Sequence, residues 1–126
     1  MQSRQLIGFG AVFAFLGVAA GAFGAHALRD QLSPASMAIY QTGVQYQMAH
    51  ALALVALGSQ GVVKAEKAGW LFVAGIVIFS GSLYALAISR LGWFGAITPI
   101  GGVCFLFGWG FVAWGALRGD RKSQID

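Results

Sequence analysis

Charged residues are scarce in this chain of 126 residues, which has only eight Lys or Arg and four Asp or Glu. Hydrophobic residues make up 58% of it and its mean hydropathy is +0.74, which is too apolar for a soluble domain of this length. The long apolar stretches contain no charged side chain at all. The sequence therefore predicts a membrane protein, without the intramembrane carboxylates that a hydrolytic metal site or a nucleophile triad requires.

Cysteine is nearly absent as well, since Cys104 is the only one in the chain. A single cysteine excludes an intrachain disulfide and the Cys-Cys motifs that bind metal or c-type haem. The two histidines do not replace such a site, because in an antiparallel hairpin His50 would lie about 15–20 Å deeper than His26, too far for one haem iron. No cofactor, metal site or catalytic residue is predicted.

Four apolar stretches are present, at about residues 6–28, 40–62, 68–89 and 98–117. Each approaches the ~20 residues that cross a ~30 Å hydrocarbon core as a helix, and none alternates as a barrel strand does. We predict an all-α fold, a four-helix transmembrane bundle that forms one domain over residues 1–126. Ser33-Pro34 and Thr98-Pro99 each resemble an N-cap followed by proline, which predicts that the second and fourth helices begin there.

The positions of the basic residues predict the topology. Six of the eight lie near the two termini or in the middle loop: Arg4, Lys64, Lys67, Arg118, Arg121 and Lys122. By the positive-inside rule both termini are expected in the cytoplasm, and the protein is expected to be a multi-pass protein of the cytoplasmic membrane. Because these charges lie at helix ends, the net charge of +4 indicates a lipid bilayer as partner and not nucleic acid.

Glycines lie on one side of two of the predicted helices. Gly17, Gly21 and Gly24 share a face of the first helix, and Gly101 and Gly108 share a face of the fourth. In lipid, such small-residue faces allow helix backbones to approach closely and gain dispersion contacts. We expect these glycines to pack helices together, within the chain or between this chain and a second copy or another membrane protein.

Polar side chains inside the spans are the best indicators of a site, because each is costly in lipid unless it is paired or hydrated. Tyr46 and His50 share one helical face, and Ser80 and Tyr84 share another. Gln41 and Gln47 are further polar residues of the second span. The predicted intramembrane polar cluster has six members: His26, Gln45, Tyr46, His50, Ser80 and Tyr84. The alternatives are interhelical hydrogen bonds that only stabilise the bundle and, for His26, contact with lipid headgroups.

Several short motifs resemble those of a known family. They are Gly-Ala-Phe-Gly-Ala-His at 21–26, Tyr-Gln-Met-Ala-His-Ala-Leu-Ala-Leu at 46–54, Phe-Ser-Gly-Ser-Leu-Tyr at 79–84 and Thr-Pro-Ile-Gly-Gly at 98–102, with Gly-Trp at 108–109. In this order they resemble domain-of-unknown-function family 423, which is related to transmembrane protein 256. The resemblance implies a four-helix protein of the bacterial inner membrane, and it implies no activity, substrate or cofactor.

Three classes of function remain open. The hypothesis that we favour is an accessory or scaffold protein, not an enzyme, that packs against itself or another membrane protein, because the chain is small and its loops are short. A second hypothesis is a small transporter or channel for protons or a small solute, which would use the polar cluster around His50. A third is a lipid-handling protein or intramembrane enzyme.

Overall fold

The computed structural model describes residues 1–61 and 65–118, which form four helices. Helix α1 is Ser3–His26, α2 is Pro34–Gln60, α3 is Ala65–Ser89 and α4 is Trp93–Leu117. These ranges contain no strand, so the predicted all-α fold is confirmed. The predicted end of the second span at residue 62 and the charges of Lys64, Arg121 and Lys122 lie outside the described residues.

Three of the four helices in the described chain are long and apolar enough to cross a membrane, namely α1, α3 and α4. Helix α2 is the longest, with 27 residues, but it carries several glutamines, two tyrosines and a histidine and is less apolar. Most of those polar groups contact the other helices, as described below. Part of the polarity of α2 therefore belongs to the interior of the bundle.

One of the two predicted helix starts is confirmed. Helix α2 begins at Pro34, and the Ser33 hydroxyl accepts a hydrogen bond from the backbone N–H of Ser36 at 3.1 Å. At its other end Gly61 has a φ of 62°, the left-handed conformation that glycine adopts without strain after a helix. Local sequence chemistry alone sets both of these ends.

The other predicted start is wrong, because α4 begins at Trp93 and contains Pro99 within it. Thr98 does not cap the helix. Its hydroxyl donates to the carbonyl of Phe94 at 3.3 Å and pairs with the hydroxyl of Ser82 on α3 at 2.6 Å. Pro99 therefore lies inside α4, and the helix continues on both sides of it.

The helices are arranged as two hairpins. Helix α1 packs along α2, α4 packs along α3, and the two hairpins meet through α2 and α3. Within the described residues α1 barely contacts α3 and does not approach α4. One buried apolar cluster fills the bundle, formed by Leu6, Leu54, Leu57, Ala65, Ala68, Phe72, Ile76 and Phe105.

Helix α3 contains a short π-helical segment, Ile76–Ser80. The backbone N–H of Gly81 bonds to the carbonyl of Ile76, five residues earlier, so one extra residue is accommodated in that turn. A π segment rotates the side chains that follow relative to those that precede it. Here it coincides with Ser80, which is 1% exposed and faces α2.

The predicted packing glycines lie at the helix interfaces within the chain. A Cβ on Gly17 would lie 2.5 Å from Sδ of Met48, and one on Gly24 would overlap the ring of Tyr40. On α4, a Cβ on Gly101 would overlap the backbone of Phe79, and one on Gly108 would lie 2.5 Å from the ring of Phe72.

Gly21 differs from the other four predicted packing glycines. It is half-buried, and a Cβ there would make only an ordinary contact, 3.5 Å from Val44. Helices α1 and α2 approach more closely at Gly10, where a Cβ would lie 2.7 Å from the carbonyl oxygen of Ala51. The two helices therefore diverge toward the loop that connects them, which leaves room beside Gly21.

Candidate functional site: hydrogen bonds inside the bundle

Gln47 links three helices. Its side chain is 5% exposed, its Nε2 donates to the carbonyl of Phe13 on α1 at 2.8 Å, and its Oε1 accepts from the hydroxyl of Tyr84 on α3 at 2.6 Å. A buried amide without such partners would cost several kcal/mol in an apolar environment. These two side chains and one backbone carbonyl therefore determine how α1 and α3 sit against α2.

Two further hydrogen bonds join side chains to backbone carbonyls of neighbouring helices. The hydroxyl of Tyr40 donates to the carbonyl of Ala20 at 2.6 Å, and the hydroxyl of Ser80 donates to the carbonyl of Gly43 at 2.7 Å. The missing side chain of Gly43 lets the ring of Tyr84 lie against α2, where it is 5.1 Å from the ring of Tyr40. Small residues and hydroxyl groups thus work together at the α2–α3 contact.

His50 lies in an aromatic environment and both of its ring nitrogens are paired. The indole N–H of Trp109 donates to Nε2 at 3.0 Å, and because an indole nitrogen can only donate, Nε2 carries no proton. Nδ1 then carries the proton and donates to the carbonyl of Tyr46 at 2.8 Å. The ring stacks on Phe105 with centroids 3.6 Å apart. This is the arrangement of a neutral histidine that connects α2 to α4.

His50 is packed against other side chains on one side and borders a cavity on the other. The residue itself is 5% exposed, but it borders an open cavity of about 410 Å³ on the face between α2 and α4. Apart from His50 and Tyr46, the lining consists of apolar groups and Trp109, whose indole N–H is bonded to His50. The histidine therefore contributes a ring edge to an apolar surface and not a charge to a polar channel.

Three of the six predicted cluster residues face neighbouring helices, each with a separate partner. Ser80, Tyr84 and His50 all make interhelical hydrogen bonds. Tyr46 contributes its carbonyl group, while its ring is 40% exposed and lies 4.7 Å from the ring of Phe79.

The remaining two predicted residues lie elsewhere. His26 is exposed in the last turn of α1, and Gln45 is exposed on the side of α2 that faces a groove. Sequence reasoning counted Gln47 among the polar candidates without placing it in the cluster, and it missed Trp109 and Tyr40. The signal for Gln47 was its spacing, since it shares a helical face with Gly43 and His50.

Every buried polar side-chain atom in the described part of the chain has a hydrogen-bond partner. The same residues contain no group of three or more His, Cys, Asp or Glu that could hold a metal ion. The arrangement thus supplies cohesion between helices, and its chemistry is that of neutral amide, hydroxyl, imidazole and indole groups.

The fold and its interior define the class of protein: an integral membrane protein whose helices are joined by neutral hydrogen bonds. Residues 20–102 match the family described as "Protein of unknown function (DUF423)". The chain belongs to this family, as its motifs indicated.

Several relatives cover nearly the whole chain. The UPF0382 membrane protein YwdK of Bacillus subtilis is 43% identical over 91% of this chain and 98% of its own length. A UPF0382 membrane protein of Staphylococcus epidermidis is 48% identical over 84% of this chain and 89% of its own length. The UPF0382 inner membrane protein YgdD of Escherichia coli K12 is 41% identical over 98% of this chain and 97% of its own length. No solved structure matches the chain.

Proposed function

We propose that the protein is an accessory protein of the cytoplasmic membrane, without an activity of its own, which packs against another membrane protein or a second copy. The observation that carries this proposal is the bonding of Gln47, since one buried side chain ties α2 to both α1 and α3. Moving one hairpin against the other would break the bond between Tyr84 and Gln47, in an environment that offers no replacement. A static bundle is what a scaffold needs.

His50 supports the same proposal over proton transport. A proton relay needs a succession of titratable or hydrated groups across ~30 Å. In the neutral form both nitrogens of His50 are already used, by Trp109 and by the carbonyl of Tyr46. Neither neighbour is a carboxylate or a second histidine that would pass a proton on.

The surface available to a partner is the outer face of the first and last helices. Phe15 on α1 is 74% exposed, and Leu106 and Phe107 on α4 are 72% and 62% exposed. Lipid alone can cover such apolar faces, so an experiment has to separate lipid contact from protein contact. The cytoplasmic membrane is supported by the name of the Escherichia coli relative, and cytoplasmic termini by the charge distribution.

Photocrosslinking in cells tests the proposal. A photoreactive amino acid would replace Val18 on α1 or Leu106 on α4, both exposed, with Gln31 in the exposed loop as the control position. We expect a discrete crosslinked product, to this chain or to one other membrane protein, from at least one helix face and not from position 31. Monomeric protein with lipid adducts at both helix positions would contradict the accessory role.

A further inference from the structure

A groove lies between α1 and α2 and opens toward the loop that joins them. It consists of two adjoining cavities of about 190 and 410 Å³. Gly24, Ala25, Met37 and Gln41 line both cavities, so the groove is continuous. It exists because the two helices diverge near Gly21, and its deeper part follows the apolar surface between them.

Two amide side chains in this groove have no partner among the described residues. Gln41 and Gln45 lie one helical turn apart and both line the deeper cavity. Each is exposed, and neither forms a hydrogen bond with any residue in 1–61 or 65–118. They lie about 10 Å and 16 Å along the axis of α2 from Pro34, and we take this stretch of the helix to cross the boundary between headgroups and hydrocarbon. Amides at that depth are costly unless something in the groove bonds to them.

The mouth of the groove carries a positive charge. Arg29 lines the outer cavity, is exposed, and forms no ion pair with the described residues. Its neighbour Asp30 does not line the cavity. A guanidinium group binds a phosphate through paired N–H donors, which a lone lysine does less specifically.

Taken in order from the surface inward, the groove offers a cation, two amides and an apolar floor. A glycerophospholipid presents its groups in the same order: phosphate, ester carbonyls and acyl chain. An apolar transmembrane helix in this groove would leave the guanidinium group and both amides without hydrogen-bond partners.

We infer that this groove binds one glycerophospholipid. Its phosphate lies at Arg29, its ester carbonyls accept hydrogen bonds from Gln41 and Gln45, and an acyl chain lies along Gly21 and Val44. The site is separate from the outer faces of α1 and α4 and from the hydrogen bonds around Gln47. The inference therefore does not depend on the proposed accessory role.

Native mass spectrometry of the full chain in detergent, titrated with phosphatidylglycerol, tests the site. We expect one bound lipid per chain. Binding should be about tenfold weaker for Arg29→Gln, which loses a charge-assisted hydrogen bond, and for the double variant Gln41→Leu/Gln45→Leu, which loses two neutral ones. Gln60→Leu is the matched control, because Gln60 is exposed at the opposite end of α2. Inorganic phosphate in excess should leave the lipid adduct in place.

A groove-filling variant provides an independent test. Gly21→Leu places a leucine side chain in the groove where a Cβ is tolerated, whereas Ala22→Leu places the same side chain on the exposed side of α1. We expect Gly21→Leu to lose the lipid adduct and Ala22→Leu to keep it, at equal melting temperatures. If one variant fails to fold, the variants at the other end of the groove remain decisive.

Three results would overturn the inference. Equal lipid binding by the groove variants and their controls would indicate lipid that surrounds the bundle without a site. Displacement by inorganic phosphate alone would indicate a simple anion site. Loss of a dimer in the groove variants, with lipid binding unchanged, would show that the groove holds a second copy of the chain.

Discussion

Replacing Gly101 with alanine is expected to separate α4 from α3. A Cβ at this position would overlap the backbone nitrogen of Phe79 and lie 2.8 Å from its Cα. Those atoms belong to the π segment of α3 and cannot rotate away as the end of a side chain would. The new methyl group therefore forces the two helices apart along their contact.

The expected change in the free energy of unfolding follows from two opposing effects. Overpacking at a tight contact costs about 1–3 kcal/mol, and alanine in place of glycine within a helix recovers up to ~1 kcal/mol. Gly110 on the same helix is the matched control, because a Cβ there meets nothing within 4 Å. We expect Gly110→Ala to be neutral or to stabilise by up to about 1 kcal/mol, and Gly101→Ala to lower the free energy of unfolding by about 1–2 kcal/mol.

Gly108→Ala is expected to have a free energy of unfolding between those of Gly101→Ala and Gly110→Ala. A Cβ there would meet only the ring of Phe72, at 2.5 Å and 2.7 Å, and a ring can shift slightly. The assay is reversible unfolding in mixed detergent micelles followed by circular dichroism. Equal free energies of unfolding for the three alanine variants would refute the close α3–α4 contact.

Three other predictions concern the interior and the topology. Tyr84→Phe should lower the free energy of unfolding by about 1–2 kcal/mol in the same assay, because Oε1 of Gln47 loses its donor; Tyr46→Phe is the control and should have no effect, since that hydroxyl has no partner in the described residues. His50→Gln should lower the free energy of unfolding by a similar amount. It should also change the fluorescence emission of Trp109, whose indole N–H donates to His50. C-terminal reporter fusions should be active only with a reporter that works in the cytoplasm, and activity of an exported reporter would contradict the topology.

Much of the fold could be predicted because lipid restricts the choices. A backbone in hydrocarbon must satisfy its own hydrogen bonds, so length and hydropathy suffice to predict helices. The Ser33-Pro34 cap and the glycine faces at Gly17, Gly24, Gly101 and Gly108 also depend on local chemistry or simple periodicity. These features do not require knowledge of which helices are neighbours.

The parts that could not be predicted depend on rotation and depth of one helix against another. Tyr46 and Gln47 are adjacent and polar, yet only the side chain of Gln47 faces the interior, because successive residues differ by about 100° around the helix. The π segment of α3 adds a further rotation, which no residue pattern predicts. Because it precedes Tyr84, it changes the direction in which that side chain points. The start of α4 at Trp93 was missed because Thr98-Pro99 has the form of a cap, whereas Thr98 bonds to Ser82.

Proton flux into liposomes tests most directly whether the polar interior is structural. The purified protein and its His50→Gln variant would be reconstituted at equal density, with folding verified by circular dichroism and flux followed with an internal pH dye. Because both nitrogens of His50 are already bonded, a structural role predicts that both preparations take up protons at the rate of empty liposomes. Proton uptake that requires the wild-type protein and disappears in the folded His50→Gln variant would contradict it and establish a transport path.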